Sequence, residues 1–125
     1  LTAWQWLRRC PVLYLWLPVV AWMGVIFFLS AQPDLPRPGV GWANWLISSM
    51  AHMVMFGVLA VLWVRALGER RHPWLLAFAL SALYALSDEF HQAFVPGRYP
   101  DPWDLVCDGV GAALGLMLWV WWQRR

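Results

Sequence analysis

The residues able to do chemistry are few and concentrated late in the chain. Ser87-Asp88-Glu89-Phe90-His91-Gln92 places two adjacent acids, a histidine and an amide inside an otherwise apolar stretch. On a helix Asp88 shares a face with Tyr84, His91 and Gln92, while Glu89 sits about 100° round it. Asp88 and Glu89 can thus straddle an inward face but cannot both point to its centre. Asp101, Asp104, Asp108, Gly111 and Gly115 recur at i, i+3, i+7, i+10 and i+14, a stripe acidic at one end and small below it. His52 stands alone in an earlier apolar run, and Arg98 sits in the loop Pro96-Gly97-Arg98-Tyr99-Pro100. Such groups can serve as general acid and base, bind a divalent ion, or hold a phosphate or carboxylate on a guanidinium fork. No serine or cysteine triad is legible, and no H-E-x-x-H spacing is present.

Plainer roles compete for several of these residues. Asp101-Pro102-Trp103-Asp104 reads as a helix start, with Asp101 as N-cap and Pro102 as its first residue. Arg98 can pair with an aspartate at the interface. Asp108 lies too deep for capping, so its structural alternative is a pair with His52 or Arg98. His52 can be a hydrogen-bonded bundle histidine, and His91 an interfacial one. Two adjacent acids within a span have no such inexpensive role, because each costs about 2.5–3.5 kcal/mol at a helix centre on insertion scales.

Apolar helices must carry these groups. The 125-residue chain is 62% hydrophobic and 13% charged, too little charge to cover the surface of a soluble domain. Its mean hydropathy is +0.53, which excludes a disordered chain as well. The nine basic residues are all arginine and form no nucleic-acid-binding stripe. Four stretches reach the roughly 20 residues that a bilayer requires: about 11–31, 43–64, 74–95 and 102–122. The reading is an all-α membrane protein, a four-helix transmembrane bundle forming one domain over residues 1–125. The first run is longer than the ~7–15 residues of a signal-peptide core, so a retained anchor is expected.

Charge fixes the expected orientation. Arg8, Arg9, Arg65, Arg70, Arg71, Arg124 and Arg125 fall on one side of the four-span arrangement, and only Arg37 and Arg98 on the other. The positive-inside rule puts both termini in the cytoplasm, with the chain in the plasma (inner) membrane. Trp4, Trp6, Trp63, Trp74, Trp119, Trp121 and Trp122 then mark the inner interface, and Trp42, Trp45 and Trp103 the outer. Asp34, Arg37, Asp88, Glu89, Arg98, Asp101, Asp104 and Asp108 gather in the outer half. Cys10 and Cys107 lie at different depths and cannot bridge. Gly111 and Gly115 allow close helix approach, either within the chain or in a homodimer.

Phe27-Phe28-Leu29-Ser30-Ala31-Gln32-Pro33, His52, and Tyr84-x3-Asp88-Glu89-x2-Gln92-x-Phe94-x-Pro96-Gly97-Arg98, followed by Asp101 to Asp104 and Gly111-x3-Gly115, resemble the VanZ-like family over nearly the whole chain. The residues that match the family pattern are Ser30, His52, Asp88, Glu89, Gln92, Arg98 and Asp104. Two positions depart from it: Ser49 stands where the family often has a basic residue, and Asp108 where it usually has Asn. The resemblance implies a cell-envelope role, and the family's namesake is associated with low-level resistance to the glycopeptide teicoplanin. The residues leave three functions open. One is a non-catalytic envelope protein. Another is an intramembrane enzyme on a lipid-linked cell-wall precursor or phospholipid. Its catalytic groups would be His52, Asp88 and Glu89, with Ser30, Gln92, Arg98, Asp104 and Asp108 binding substrate and a divalent metal at His52, Asp88, Glu89 and Asp108 as an option. The last is a small transporter or channel, ranked below the others because four spans are few and no charge continues a path through the inner half.

Overall fold

The computed structural model describes residues 2–33 and 41–125. Four long helices follow a short one: α1 (Ala3–Arg9), α2 (Pro11–Ser30), α3 (Gly41–Leu67), α4 (Pro73–Gln92) and α5 (Pro102–Gln123). Proline opens α2, α4 and α5, where its missing N–H is no loss and its fixed φ suits the helix. Asp101 caps α5 as expected, its carboxylate accepting from the Trp103 backbone N–H at 2.9 Å. Gly68, with φ +62°, ends α3 in the left-handed conformation that glycine adopts without penalty.

Three features differ from the sequence reading. The short α1 was not anticipated; Cys10 separates it from α2, which Pro11 opens. Helix α3 runs from Gly41 to Leu67 rather than 43–64, because nothing between Val64 and Gly68 breaks it. Helix α4 stops at Gln92 instead of continuing to Val95. There the chain turns, the Val95 N–H bonding to the Gln92 carbonyl and the Arg98 N–H to the Val95 carbonyl, ahead of Pro96 and a Gly97 at φ +79°.

Helix α3 is central and packs against α2, α4 and, most closely, α5. Phe56, Leu59 and Ala60 at its middle are 2%, 0% and 0% exposed. Val19 and Ile26 of α2, Ala77 and Ala85 of α4, and Ala112 and Leu116 of α5 complete the buried core. The glycines of α5 are used here. A Cβ on Gly111 would fall 2.5 Å from Met53 Cα, and one on Gly115 would fall 2.5 Å from the Gly57 carbonyl oxygen. The close approach that the Gly-x-x-x-Gly step permits is therefore made with α3 of the same chain.

The outside of the bundle is apolar. Helices α2, α3 and α5 are each long and apolar enough to cross a membrane, and only 11% of the apolar window of α2 is buried within the protein. Val12, Val20, Phe28, Leu83, Phe90, Met117 and Leu118 all face outward. In water each would forfeit roughly 1.5–3 kcal/mol of burial, a cost that lipid removes. Helix α4 is as long as α2 but less apolar, because Ser81, Asp88, Glu89 and Gln92 belong to it. All four are buried inside the bundle, leaving Leu76, Leu83, Leu86 and Phe90 on its outer side.

A membrane interior has no water to satisfy broken helix bonds, and α2 shows how one is repaired. Pro18 inside α2 has no N–H for the carbonyl of Tyr14. Arg65 of α3 donates to that carbonyl from Nη2 at 3.3 Å, with its guanidinium over the Tyr14 ring. Cys10 and Cys107 are both free thiols, as their depths required.

Candidate functional site

Helix α3 presents Asn44, Ser48 and His52 at i, i+4 and i+8, one stripe turned toward the last turn of α2 and the last turns of α4. Together with Ser30 of α2, Asp88 and Gln92 of α4, and Arg98 beyond α4, they line a cavity of about 320 Å³. Ile26, Leu29, Ile47, Met55 and Phe56 supply its apolar walls. Polar groups from three helices and a loop thus meet at one hollow.

The groups are held differently. His52 Nδ1 lies 2.8 Å from Asp108 Oδ1, and His52 Nε2 lies 3.6 Å from Asp104 Oδ2. A neutral ring offers one N–H to Asp108 and turns a lone pair on Asp104; a protonated ring presents an N–H to each carboxylate. Asp108 is 1% exposed, and its Oδ2 has no hydrogen-bond partner. Asp104 and Asp108 therefore stand behind His52 without lining the cavity.

Adjacent acids on α4 part company, as their 100° offset requires. Asp88 faces the cavity, where Gln92 Nε2 donates to its Oδ2 over a long 3.5 Å. Glu89 turns to the start of α5, and its Oε2 accepts from the Asp101 backbone N–H at 2.8 Å. Glu89 thus joins α4 to α5 and does not line the cavity. Two neighbours at the start of α5 are structural as well: Asp101 is its cap, and the Trp103 indole N–H donates to Ser49 Oγ of α3 at 3.0 Å.

Among the described residues Arg98 makes no ion pair with an aspartate. Its Nε donates to the Gln32 carbonyl at 2.9 Å and its Nη2 to the Leu29 carbonyl at 3.1 Å, tying the loop after α4 to the end of α2. His91 stacks on Phe27, ring centroids 4.3 Å apart, at the edge of the bundle. Tyr84, on the Asp88 stripe, donates instead to the Met23 carbonyl of α2 at 2.6 Å. Asp34 and Arg37, assigned to the first outer loop, lie outside the described residues, as does the side chain of Trp4.

Among the described residues no three His, Cys, Asp or Glu side chains gather to hold an ion. Both His52 nitrogens face carboxylates, and Glu89 is engaged on the far side of α4, away from the cavity.

With this arrangement in view, the sequence profile of the family described as VanZ/LLP1 matches residues 15–123. The chain belongs to the VanZ/LLP1 family. No curated protein and no solved structure is significantly similar to it. The match runs from within α2 to the last residue of α5, so every residue of the cavity falls inside the VanZ/LLP1 domain. The chain is a multi-pass membrane protein of this family, with its apolar helices embedded in lipid. Both positions that depart from the family pattern have partners in this VanZ/LLP1 chain: Asp108 binds His52, and Ser49 accepts from Trp103.

Of the eight sequence-derived site residues, Ser30, His52, Asp88, Gln92 and Arg98 share the cavity, whereas Glu89, Asp104 and Asp108 support it from outside. Asn44 and Ser48 were missed. Their four-residue spacing ahead of His52 was the available signal, hidden because uncharged side chains do not stand out in an apolar run.

Proposed function

We propose that this VanZ/LLP1 protein acts in the cell envelope by receiving the polar head of an amphiphile in the outer half of the plasma (inner) membrane. The observation that carries the reading is the single cavity where Ser30, His52, Asp88, Gln92 and Arg98 meet between apolar walls. An amphiphile matches both halves of that lining: its head meets the polar groups, and its tail lies along Ile47, Met55 and the lipid beyond. The placement of seven arginines supports a four-span topology, α2 to α5, with both termini cytoplasmic and the cavity toward the outer leaflet.

A diazirine-bearing phospholipid tests this reading. Irradiation of the protein in nanodiscs is expected to label peptides covering Ile26–Pro33 and Asn44–Phe56, and the label is expected to fall several-fold in Arg98→Ala. Labelling confined to the outward faces of α2 and α5 and unaffected by Arg98→Ala would sink it. In cells, teicoplanin susceptibility is the corresponding readout: expression raises tolerance, and His52→Ala or Asp88→Ala at equal abundance removes the gain.

A second reading, an intramembrane hydrolase or transferase, rests on Asp88. This carboxylate is 5% exposed and reaches the cavity with one long hydrogen bond, as a general base requires. The His52–Asp108 pair behind it supplies a charged wall. Time-resolved lipid mass spectrometry of the reconstituted protein decides: turnover lost in Asp88→Asn supports an enzyme, and unchanged lipids refute one.

A further inference from the structure

Two opposite charges line the cavity without neutralising one another. Asp88 and Arg98 both reach it, yet among the described residues the ion pairs are those of His52 with Asp104 and Asp108, so Asp88 and Arg98 are more than 4.0 Å apart. Arg98 spends two of its five N–H groups on carbonyls, leaving three for an anion. Ser30 is 5% exposed, lines the same cavity as Asp88, and its buried Oγ has no hydrogen-bond partner. Gln92 makes one long bond to Asp88, so the remaining lone pairs of Asp88, together with those of the Ser30 hydroxyl, can accept from a further N–H donor in the cavity. Leaving buried polar atoms unmatched is costly, about 1–3 kcal/mol each, and a ligand that matches them recovers that cost.

We propose that the cavity recognises a zwitterionic aminoalkyl phosphate, its phosphate on Arg98 and its primary ammonium on Asp88 and Ser30. The proposal rests on the amphiphile reading above and names the headgroup. Three N–H donors on a primary ammonium suit the acceptors of Asp88 and Ser30, which a quaternary ammonium cannot satisfy. An anionic headgroup without nitrogen meets Arg98 but leaves Asp88 facing a polyol or a phosphate. The apolar walls at Ile47 and Met55 favour the lipid-borne form over the free phosphate.

The test is lipid retention by the detergent-purified chain, read by native mass spectrometry. Phosphatidylethanolamine, phosphatidylcholine and phosphatidylglycerol are offered with identical acyl chains. Phosphatidylethanolamine is expected to be retained at least tenfold over the other two. Asp88→Asn, isosteric and with its melting temperature measured alongside, is expected to abolish that preference, phosphatidylglycerol retention rising as the carboxylate that faces it is removed. Ser30→Ala is expected to reduce it several-fold. Soluble phosphoethanolamine separates the sources: complete displacement of the lipid identifies the headgroup as sufficient, and persistence of the lipid shows that the tail is needed, the zwitterion being the ligand in either case. Equal retention of all three lipids, with label still in the cavity, overturns the zwitterion and leaves the amphiphile reading standing. Retention of none of them overturns both.

Discussion

Two glycines, two residues apart on α5, provide a stringent check of the α3–α5 packing. A Cβ added to Gly111 would sit 2.5 Å from Met53 Cα, 2.7 Å from its carbonyl carbon and against its carbonyl oxygen. Ordinary carbon contacts are about 3.5–4.0 Å, so the helices must move apart by roughly 1 Å. The obstructing atoms are all backbone, which no rotamer change can relieve. Overpacking of this kind costs about 1–3 kcal/mol, and a rigid backbone puts Gly111→Ala at the upper end. Alanine returns up to about 1 kcal/mol of helix propensity, giving a net loss near 2 kcal/mol. At Gly109 a Cβ meets nothing within 4 Å. Gly109→Ala should therefore be neutral or stabilising by as much as about 1 kcal/mol, so the two variants differ by about 3 kcal/mol. Equilibrium unfolding in mixed micelles, or steric trapping in bicelles, measures the difference. If both alanine variants unfold within about 0.5 kcal/mol of each other, the close crossing of α3 and α5 is wrong.

Other contacts lend themselves to similar tests. Asp108→Ala leaves His52 without its 2.8 Å partner, and breaking such a buried pair should cost about 3–5 kcal/mol. A double-mutant cycle with His52→Ala should return a coupling above about 1 kcal/mol by the same unfolding assay, and simple additivity would refute the pair. Arg65→Met should destabilise by about 1–3 kcal/mol, because the Tyr14 carbonyl opposite Pro18 loses its donor. Pro18→Ala restores an intrahelical N–H, so it should stabilise Arg65→Met more than it stabilises the wild type; equal effects would count against the repair. Trp103→Phe and Ser49→Ala each remove the 3.0 Å indole bond. Each should cost about 1 kcal/mol, and together little more than one alone, as indole fluorescence melting curves can show.

What the sequence displayed and what it hid divide along physical lines. Proline-bounded apolar runs located α2 to α5 to within a few residues, because Pro11, Pro73 and Pro102 begin helices and Gly68 ends one. The ends that moved, Leu67 and Gln92, are set by turn hydrogen bonds that composition does not reveal. The 100° offset of Asp88 and Glu89 was legible, but not which of them faced the cavity, since that depends on where α5 begins relative to α4. Arg98 was expected beside an aspartate, as charge alone implies. It went to carbonyls because the end of α2 brings backbone acceptors within its reach. His52 could be placed by depth along its helix, whereas its choice of Asp108 required the glycine-mediated approach of α5 to α3.

Arg98 carries one more consequence, for the electrostatics of its own site. Two of its N–H groups rest on carbonyls at the end of α2, where the helix dipole contributes about half a negative charge. That field cancels part of the guanidinium's pull before any anion arrives. A phosphate meeting Arg98 there would be held by less than a full positive charge. The clamp that fixes the loop thereby couples the strength of any anion binding at Arg98 to the geometry of the last turn of α2.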